Sequence, residues 1–240
     1  MLEFIVLKKD RRKFLALTGL TVKEFNKLLP PFSKVYESRQ SSDKTQRGQP
    51  RQRARGGGRR GVLCSMEQRL LFILVYQKTY ALQVIQGDLF GMSQAAANQW
   101  LHRLLPILRE ALTELGVMPE REGTAFAQAE HGNAEEADYI IDGTERRRQR
   151  PKSPEKQALH YSGKKKTHSD KNIVIVNTRT KRVGYLGPTQ SGKMHDKKMV
   201  DDEHISYPPA TLLHKDTGFQ GYEPDVAETR QPKKSHVARN

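Results

Sequence analysis

Two apolar runs of the sequence end on an aspartate, and these two aspartates could hold a metal ion. The run "DYIID" ends on Asp142, and "ATLLHKD" ends on Asp216. If the runs form neighbouring strands, the two carboxylates repel each other unless a cation lies between them. Oxygen ligands favour magnesium or manganese, which can assist displacement at a phosphodiester. Four arginines follow Asp142 closely, so an ion pair with Arg146 or Arg148 stays open as a second interpretation.

The second half of the chain has the pattern of an α/β domain that could position these aspartates. Apolar and β-branched residues predict strands at "DYIID" and over 171–178, 182–188 and 210–216. A polar segment between the last two strands predicts a helix beginning near Asp196. We therefore expect both aspartates at strand ends within one domain, residues 137–240.

The first half of the chain is predicted to be helical and divides into segments by composition. We assign residues 1–40 to an N-terminal helical segment and 63–116 to a second helical region. Residues 41–62 form a basic linker that is rich in arginine and glycine and has too few apolar residues to fold alone. Residues 117–136 are assigned to a second linker.

The helical region 63–116 contains a pattern typical of a helix-turn-helix. A short helix over 81–89 is followed by a turn with Gly91 and a second helix that begins after Ser93. In such motifs the second helix enters the major groove of DNA, which makes Gln94 and Asn98 candidate base contacts. An ordinary helical hairpin would show the same pattern. The linker arginines upstream favour DNA, and the candidate phosphate contacts are Arg51, Arg53, Arg55, Arg59 and Arg60.

The overall composition favours a polyanionic partner. The net charge is +15 and the pI is near 9.9, as expected for a protein that binds nucleic acid. The single cysteine, Cys64, excludes an internal disulfide and zinc sites built from cysteines. No apolar run is long enough for a transmembrane helix, so we expect an intracellular, soluble protein.

Four motifs resemble those of bacterial insertion-sequence DDE transposases in order and spacing. They are "DGTERRRQRP", "YSGKKKTHSDKNIVIV", "GKMHDKKM" and "LLHKDTGFQGY". The closest subgroup has Asp-Gly-Thr-Glu as its first motif. Its second motif corresponds to "DTGFQGY" in this chain, in which Thr217 and Phe219 are mild departures. The N-terminal helices resemble the helix-turn-helix region of that group. The resemblance covers about residues 12–234.

This resemblance implies a fold, a chemistry and partners. The fold would be an α/β C-terminal domain, ribonuclease-H-like and incomplete, preceded by an all-α helix-turn-helix DNA-binding region. Asp142 and Asp216 would be catalytic residues and ligands of Mg²⁺ or Mn²⁺. The activity would be cleavage at the element ends and strand transfer into target DNA. The partners would be terminal repeats and target DNA, with a homodimer for synapsis and a bacterial cytoplasmic, nucleoid-associated location.

Further residues near the motifs are candidate DNA contacts. His195 could orient the attacking group or a phosphate, but a capping role for the neighbouring Asp196 is an alternative account of these two residues. A basic cluster between the first two predicted strands could hold the DNA backbone or could be a solvated hairpin. It comprises Lys164, Lys165, Lys166, His168 and Lys171.

The family's third acid is a glutamate on a later helix, and no residue here matches it. Glu228 follows Asp216 closely and precedes a proline, so it is poorly placed for a catalytic helix. We therefore expect a truncated catalytic domain and an inactive chain. The alternative function is a non-catalytic, repressor-like DNA-binding fragment. An RNA-binding protein is disfavoured because the aromatics of RNA-binding sheets are lacking.

Overall fold

A computed structural model of the protein describes residues 1–39, 49–50, 61–129 and 137–232. These residues belong to two compact units, Met1–Val117 and Met118–Asn240. The candidate phosphate contacts of the first linker, from Arg51 to Arg60, lie outside the described residues. No helix in the described ranges is long and apolar enough to cross a membrane.

The first unit is built from helices, as predicted. Thr21 and Glu24 form a capping box, in which each side chain bonds the backbone N–H of the other residue. The last helix contains Pro106 and continues through it to Glu114. The helices are α1 (Phe4–Leu7), α2 (Arg11–Thr18), α3 (Val22–Ser38), α4 (Met66–Thr79), α5 (Gln83–Phe90) and α6 (Gln94–Glu114).

Helix α4 forms the centre of the first unit. Its residues from Leu70 to Val75 are all buried, and a helix that is apolar on all sides must be surrounded by other elements. Phe72 of α4 packs edge-to-face on Phe90 of α5, with ring centroids 4.9 Å apart. Gln86 of α5 donates a hydrogen bond to the carbonyl of Phe72. These contacts fix α5 on α4.

The turn between α5 and α6 has the geometry expected of a helix-turn-helix. Gly91 ends α5 with a left-handed φ of 67°, and Ser93 caps α6 through the N–H of Ala96. Gly87 allows the turn to fold back on α5. A Cβ at Gly87 would lie 2.6 Å from the carbonyl oxygen of Met92, which is closer than two such atoms can approach.

Gly87→Ala should therefore destabilise the first unit by about 1–2 kcal/mol. Overpacking against backbone costs about 1–3 kcal/mol, and the better helix propensity of alanine recovers up to about 1 kcal/mol. Urea unfolding followed by the fluorescence of Trp100, which packs on this core, measures the change. Gly61→Ala is the control because a Cβ there meets no atom within 4 Å. Equal stability of the two variants would contradict the close approach at Gly87.

The second unit is a mixed β-sheet with short helices. Its sheet has the strand order β2-β3-β1-β6-β7, and β4 and β5 also pair with β3. The helices are α7 (Phe126–Ala129), α8 (Pro154–His160) and α9 (Asp196–Glu203). The strands are β1 (Asp138–Arg147), β2 (Tyr161–Ser162), β3 (Thr167–Asn177), β4 (Val183–Leu186), β5 (Gln190–Ser191), β6 (Leu212–Lys215) and β7 (Glu228–Arg230).

The two faces of this sheet differ in burial. Tyr139 and Ile141 of β1 are buried on one face, which we call the core face, and Met199 and Val200 of α9 belong to the same apolar cluster. Successive strand residues point to opposite faces, so Ile140 points to the other, open face and is 46% exposed. The all-helical unit followed by a mixed α/β unit confirms the predicted ribonuclease-H-like fold class.

Part of the predicted second linker, 117–136, belongs to the second unit instead. Residues Gly123–Ala125 form a 3₁₀ turn that leads into α7. Phe126 is fully buried and packs edge-to-face on Tyr139, with centroids 5.4 Å apart. One aromatic residue in a polar stretch shows no periodicity, so the sequence pattern did not reveal this contact.

Candidate active site

The two strand-end aspartates lie on neighbouring parallel strands. Strands β1 and β6 are paired in parallel, with Ile140 opposite His214 and Ile141 opposite Lys215. Asp142 directly follows Ile141, and Asp216 directly follows Lys215. The predicted neighbouring arrangement of these strands is therefore confirmed. Alternation along each strand places both carboxylates toward the open face, and both residues are exposed.

Each aspartate is oriented by a backbone N–H and keeps one carboxylate oxygen for a ligand. Oδ1 of Asp142 accepts a hydrogen bond from the N–H of Gly143 at 2.8 Å. Oδ1 of Asp216 accepts one from the N–H of Gly218, also at 2.8 Å, at the start of a 3₁₀ turn. Backbone N–H groups stabilise the charged form of a carboxylate without neutralising it.

The arginines that follow Asp142 bind other partners. Arg146 donates to Oδ1 of Asn172 at 2.7 Å, and Arg148 forms an ion pair with Asp170 at 2.8 Å. In the described part of the chain, Asp142 lies within ion-pair distance of no cation. The geometry therefore gives no support to the interpretation of Asp142 as an ion-pair partner.

A third carboxylate, that of Asp196, lies close to both strand ends. A Cβ at Gly143 would lie 2.8 Å from its Oδ1, and a Cβ at Gly218 would lie 3.3 Å from its Oδ2. Both glycines directly follow or nearly follow the strand-end aspartates, so small residues at these positions leave room for Asp196. The sequence pattern indicated only the start or the cap of a helix at Asp196.

Asp196 is already paired with a buried lysine. Nζ of Lys171 lies 3.0 Å from Oδ1 of Asp196 and also donates to the carbonyl of Met194. Only 10% of the Lys171 side chain is exposed. The prediction that Lys171 contacts DNA therefore does not fit, because its ammonium group is used inside the unit. The other members of the predicted basic cluster, Lys164 to Lys166 and His168, lie in or beside the turn between β2 and β3.

Glu145 belongs to the same network and not to the arginines. Its carboxylate accepts a hydrogen bond from the hydroxyl of Ser169. Burial acts to raise the pKa of Glu145, but hydrogen bonds from Ser162 and Ser169 and the charge of Lys171 outweigh it, so the pKa is lowered. Glu145 thus stays charged beside the candidate site.

Two family models match this chain. Residues 141–238 match the model described as DDE superfamily endonuclease. Residues 62–114 match the model described as helix-turn-helix of DDE superfamily endonuclease. Most of the second unit is thus similar to the DDE superfamily endonucleases. No curated protein and no solved structure gives a significant match.

The matched residues 141–238 include both Asp142 and Asp216. Oxygen ligands suit the divalent ions that DDE superfamily endonucleases use. A search of the described ranges finds no group of three or more His, Cys, Asp or Glu residues arranged to hold a metal ion. The two exposed carboxylates of Asp142 and Asp216 are nevertheless an oxygen-only pair at one edge of the sheet. That donor set fits magnesium or manganese held partly by water.

His195 acts as the N-terminal cap of helix α9 in the second unit. Its Nδ1 accepts a hydrogen bond from the N–H of Lys197 at 3.4 Å, at the start of α9. The capping role that the sequence suggested for Asp196 is thus filled by His195. A role of His195 in orienting a phosphate stays a prediction.

The helix-turn-helix of the first unit presents one of its two candidate base contacts freely. Gln94 is exposed in the first turn of α6. Asn98 lies one turn later, is half-buried, and donates to the side chain of Gln83 at 3.1 Å. Asn98 therefore links α6 to α5 as well as facing the same side as Gln94.

Proposed function

We propose that this protein is a transposase of a bacterial insertion sequence, of the subgroup with an Asp-Gly-Thr-Glu motif. It would bind the element ends through α5 and α6. It would cut DNA at an active site formed by Asp142 and Asp216. The observation that carries this proposal is the placement of these two carboxylates on neighbouring parallel strands, exposed and without an ion-pair partner among the described residues. A carboxylate that stabilises the fold is usually buried or paired with a cation. An exposed and unpaired carboxylate is instead available to bind a ligand.

In this proposal Asp142 and Asp216 would hold a divalent ion. Mg²⁺ or Mn²⁺ bound there would supply polarisation of a phosphoryl oxygen and a lowered pKa of an attacking water or hydroxyl. The hydrogen bonds from Gly143 and Gly218 fix the direction of each carboxylate, which preserves the geometry that displacement requires.

A non-catalytic DNA-binding protein is the second candidate function. The observation that favours it is the state of the third carboxylate, because Asp196 already forms an ion pair with Lys171. Two aspartates alone would then have to hold the ion. Binding through the helix-turn-helix would still explain the basic composition.

Nicking of a supercoiled plasmid that carries the gene with its flanking DNA separates the two candidates. The first candidate predicts nicking in Mg²⁺ or Mn²⁺ and a loss on the order of a hundredfold or more in Asp216→Ala, since misplacement of reacting groups by about 1 Å already costs that much. The inactive chain expected from the sequence would not nick the plasmid. Asp225→Ala is the control, because this aspartate lies beyond the strand end. Duplex binding without nicking would support the second candidate, and absence of duplex binding would contradict both.

A further inference from the structure

An open pocket lies at the end of the sheet where β1 leaves it and β3 enters. Its volume is about 750 Å³, within the range of small-ligand sites. Helix α8, strand β2, the start of β3 and the turn before α9 enclose it. Its lining residues are Arg150, Gln157, Ala158, Tyr161, Gly163, His168 and Lys193.

Two cations of this pocket have no carboxylate partner. Among the residues that the structure describes, neither Arg150 nor Lys193 lies within ion-pair distance of an acid. Nearby basic groups differ in this respect, since Arg148 and His160 both contact Asp170. Unpaired cations around a cavity create a positive potential that attracts an anion.

Arg150 is held in place before any ligand binds. Its Nε and Nη2 donate to Oε1 of Gln157 at 3.0 and 2.8 Å. Gln157 in turn donates to the carbonyl of Pro151 at 2.9 Å. Three N–H donors of Arg150, two on Nη1 and one on Nη2, are left for another acceptor. This arrangement reduces the side-chain entropy lost on binding, which favours affinity.

An aromatic ring lies beside these cations. Tyr161 is 43% exposed, and its ring packs edge-to-face against His168 with centroids 5.6 Å apart. His168 therefore supports the ring from one side and leaves another side toward the pocket. A planar base can stack on such a ring whatever its identity, because every base has a π-face.

We propose that this pocket binds one unpaired nucleotide of a DNA strand, with its base on Tyr161 and its phosphate between Arg150 and Lys193. The inference rests on the proposed function, which brings DNA to this unit. Arg147, at the pocket end of β1, lies five positions after Asp142. At about 3.3 Å per residue these two positions are roughly 17 Å apart. One strand can therefore reach the strand-end aspartates and the pocket together.

The test compares the full chain and its variants on a blunt duplex and on the same duplex with a four-nucleotide single-stranded overhang, at low salt. A 2-aminopurine in the overhang reports stacking by its fluorescence, and anisotropy reports affinity. We expect tighter binding and quenching on the overhang. Tyr161→Ala should weaken overhang binding roughly 5- to 100-fold, as expected when one base loses its stacking partner. Tyr161→Phe keeps a ring and should retain the binding.

Two lysine variants test the phosphate contact with equal loss of charge. Lys193→Ala should weaken overhang binding, whereas Lys156→Ala removes an exposed lysine of α8 that does not line the pocket. Equal affinity for blunt and overhang DNA, or equal effects of the two lysine variants, would overturn the pocket proposal while leaving the proposed function intact. Failure to bind even the blunt duplex would instead contradict the proposed function.

Discussion

Asp142→Asn should abolish manganese binding to the second unit while leaving duplex affinity unchanged or slightly raised. The substitution keeps the size of the side chain and replaces one of two charged oxygen ligands by a neutral amide, and hard divalent ions depend on that charge. Duplex affinity should not fall, because a negative charge beside the phosphates has been removed. Isothermal titration of each variant with Mn²⁺ measures the ligand role directly, without requiring that the protein cut DNA.

Asp138→Asn provides a matched control on the same strand. Asp138 lies four residues before Asp142, and its Oδ1 is 3.0 Å from Nε2 of His214. The same chemical change there should leave manganese binding intact. If Asp142→Asn and wild type bind manganese equally, Asp142 is not a ligand, and the proposed cutting site loses its main support.

Lys171→Met should be among the most destabilising single changes in the second unit, by about 3 kcal/mol. Removing one partner of a buried ion pair costs about 3–5 kcal/mol because the other charge stays without compensation. The lower end applies here because 18% of the Asp196 side chain is exposed. Trp100 is the only tryptophan and lies in the first unit. Loss of stability should therefore appear in circular dichroism and not in tryptophan fluorescence.

A double variant distinguishes the lost ion pair from lost packing. Lys171→Met combined with Asp196→Asn removes both charges, and most of the stability should return. Lys197→Ala removes one partner of an exposed pair with Asp201 and should cost at most about 1 kcal/mol. A double variant as unstable as Lys171→Met would show that the charge of Asp196 is not the cause.

The position of the two aspartates could be predicted because local pattern determines it. An apolar run that ends on a carboxylate indicates both a strand and the residue at its end, and the order of elements brought β1 and β6 together. The pair of Lys171 and Asp196 could not be predicted in this way. Lys171 follows a segment rich in basic residues. Its side chain points to the core face because of the register in which β3 pairs with β1, and a local pattern does not show that register.

Other features were missed because their sequence signals are short. Strands β2 and β5 have two residues each and β7 has three, too few for an alternating pattern to stand out. Their pairing depends on β3 and β6, which are already in place. The pocket beside Tyr161 depends on β2 and on α8 (Pro154–His160), neither of which was predicted, so it too was beyond reach of pattern alone.

The parallel pairing of β1 with β6 also sets the order in which this site can assemble. Contacts between residues far apart in sequence form late, because closing the chain between them costs entropy before any contact rewards it. Strand β3 can pair with β1 soon after it is made, whereas β6 follows some seventy residues behind β1. At about 5–20 residues per second, the ribosome needs roughly 4–15 s for that interval. A nascent chain thus carries a folded hairpin well before it carries two neighbouring aspartates, so the DNA beside a ribosome cannot meet a finished site until synthesis has passed Asp216.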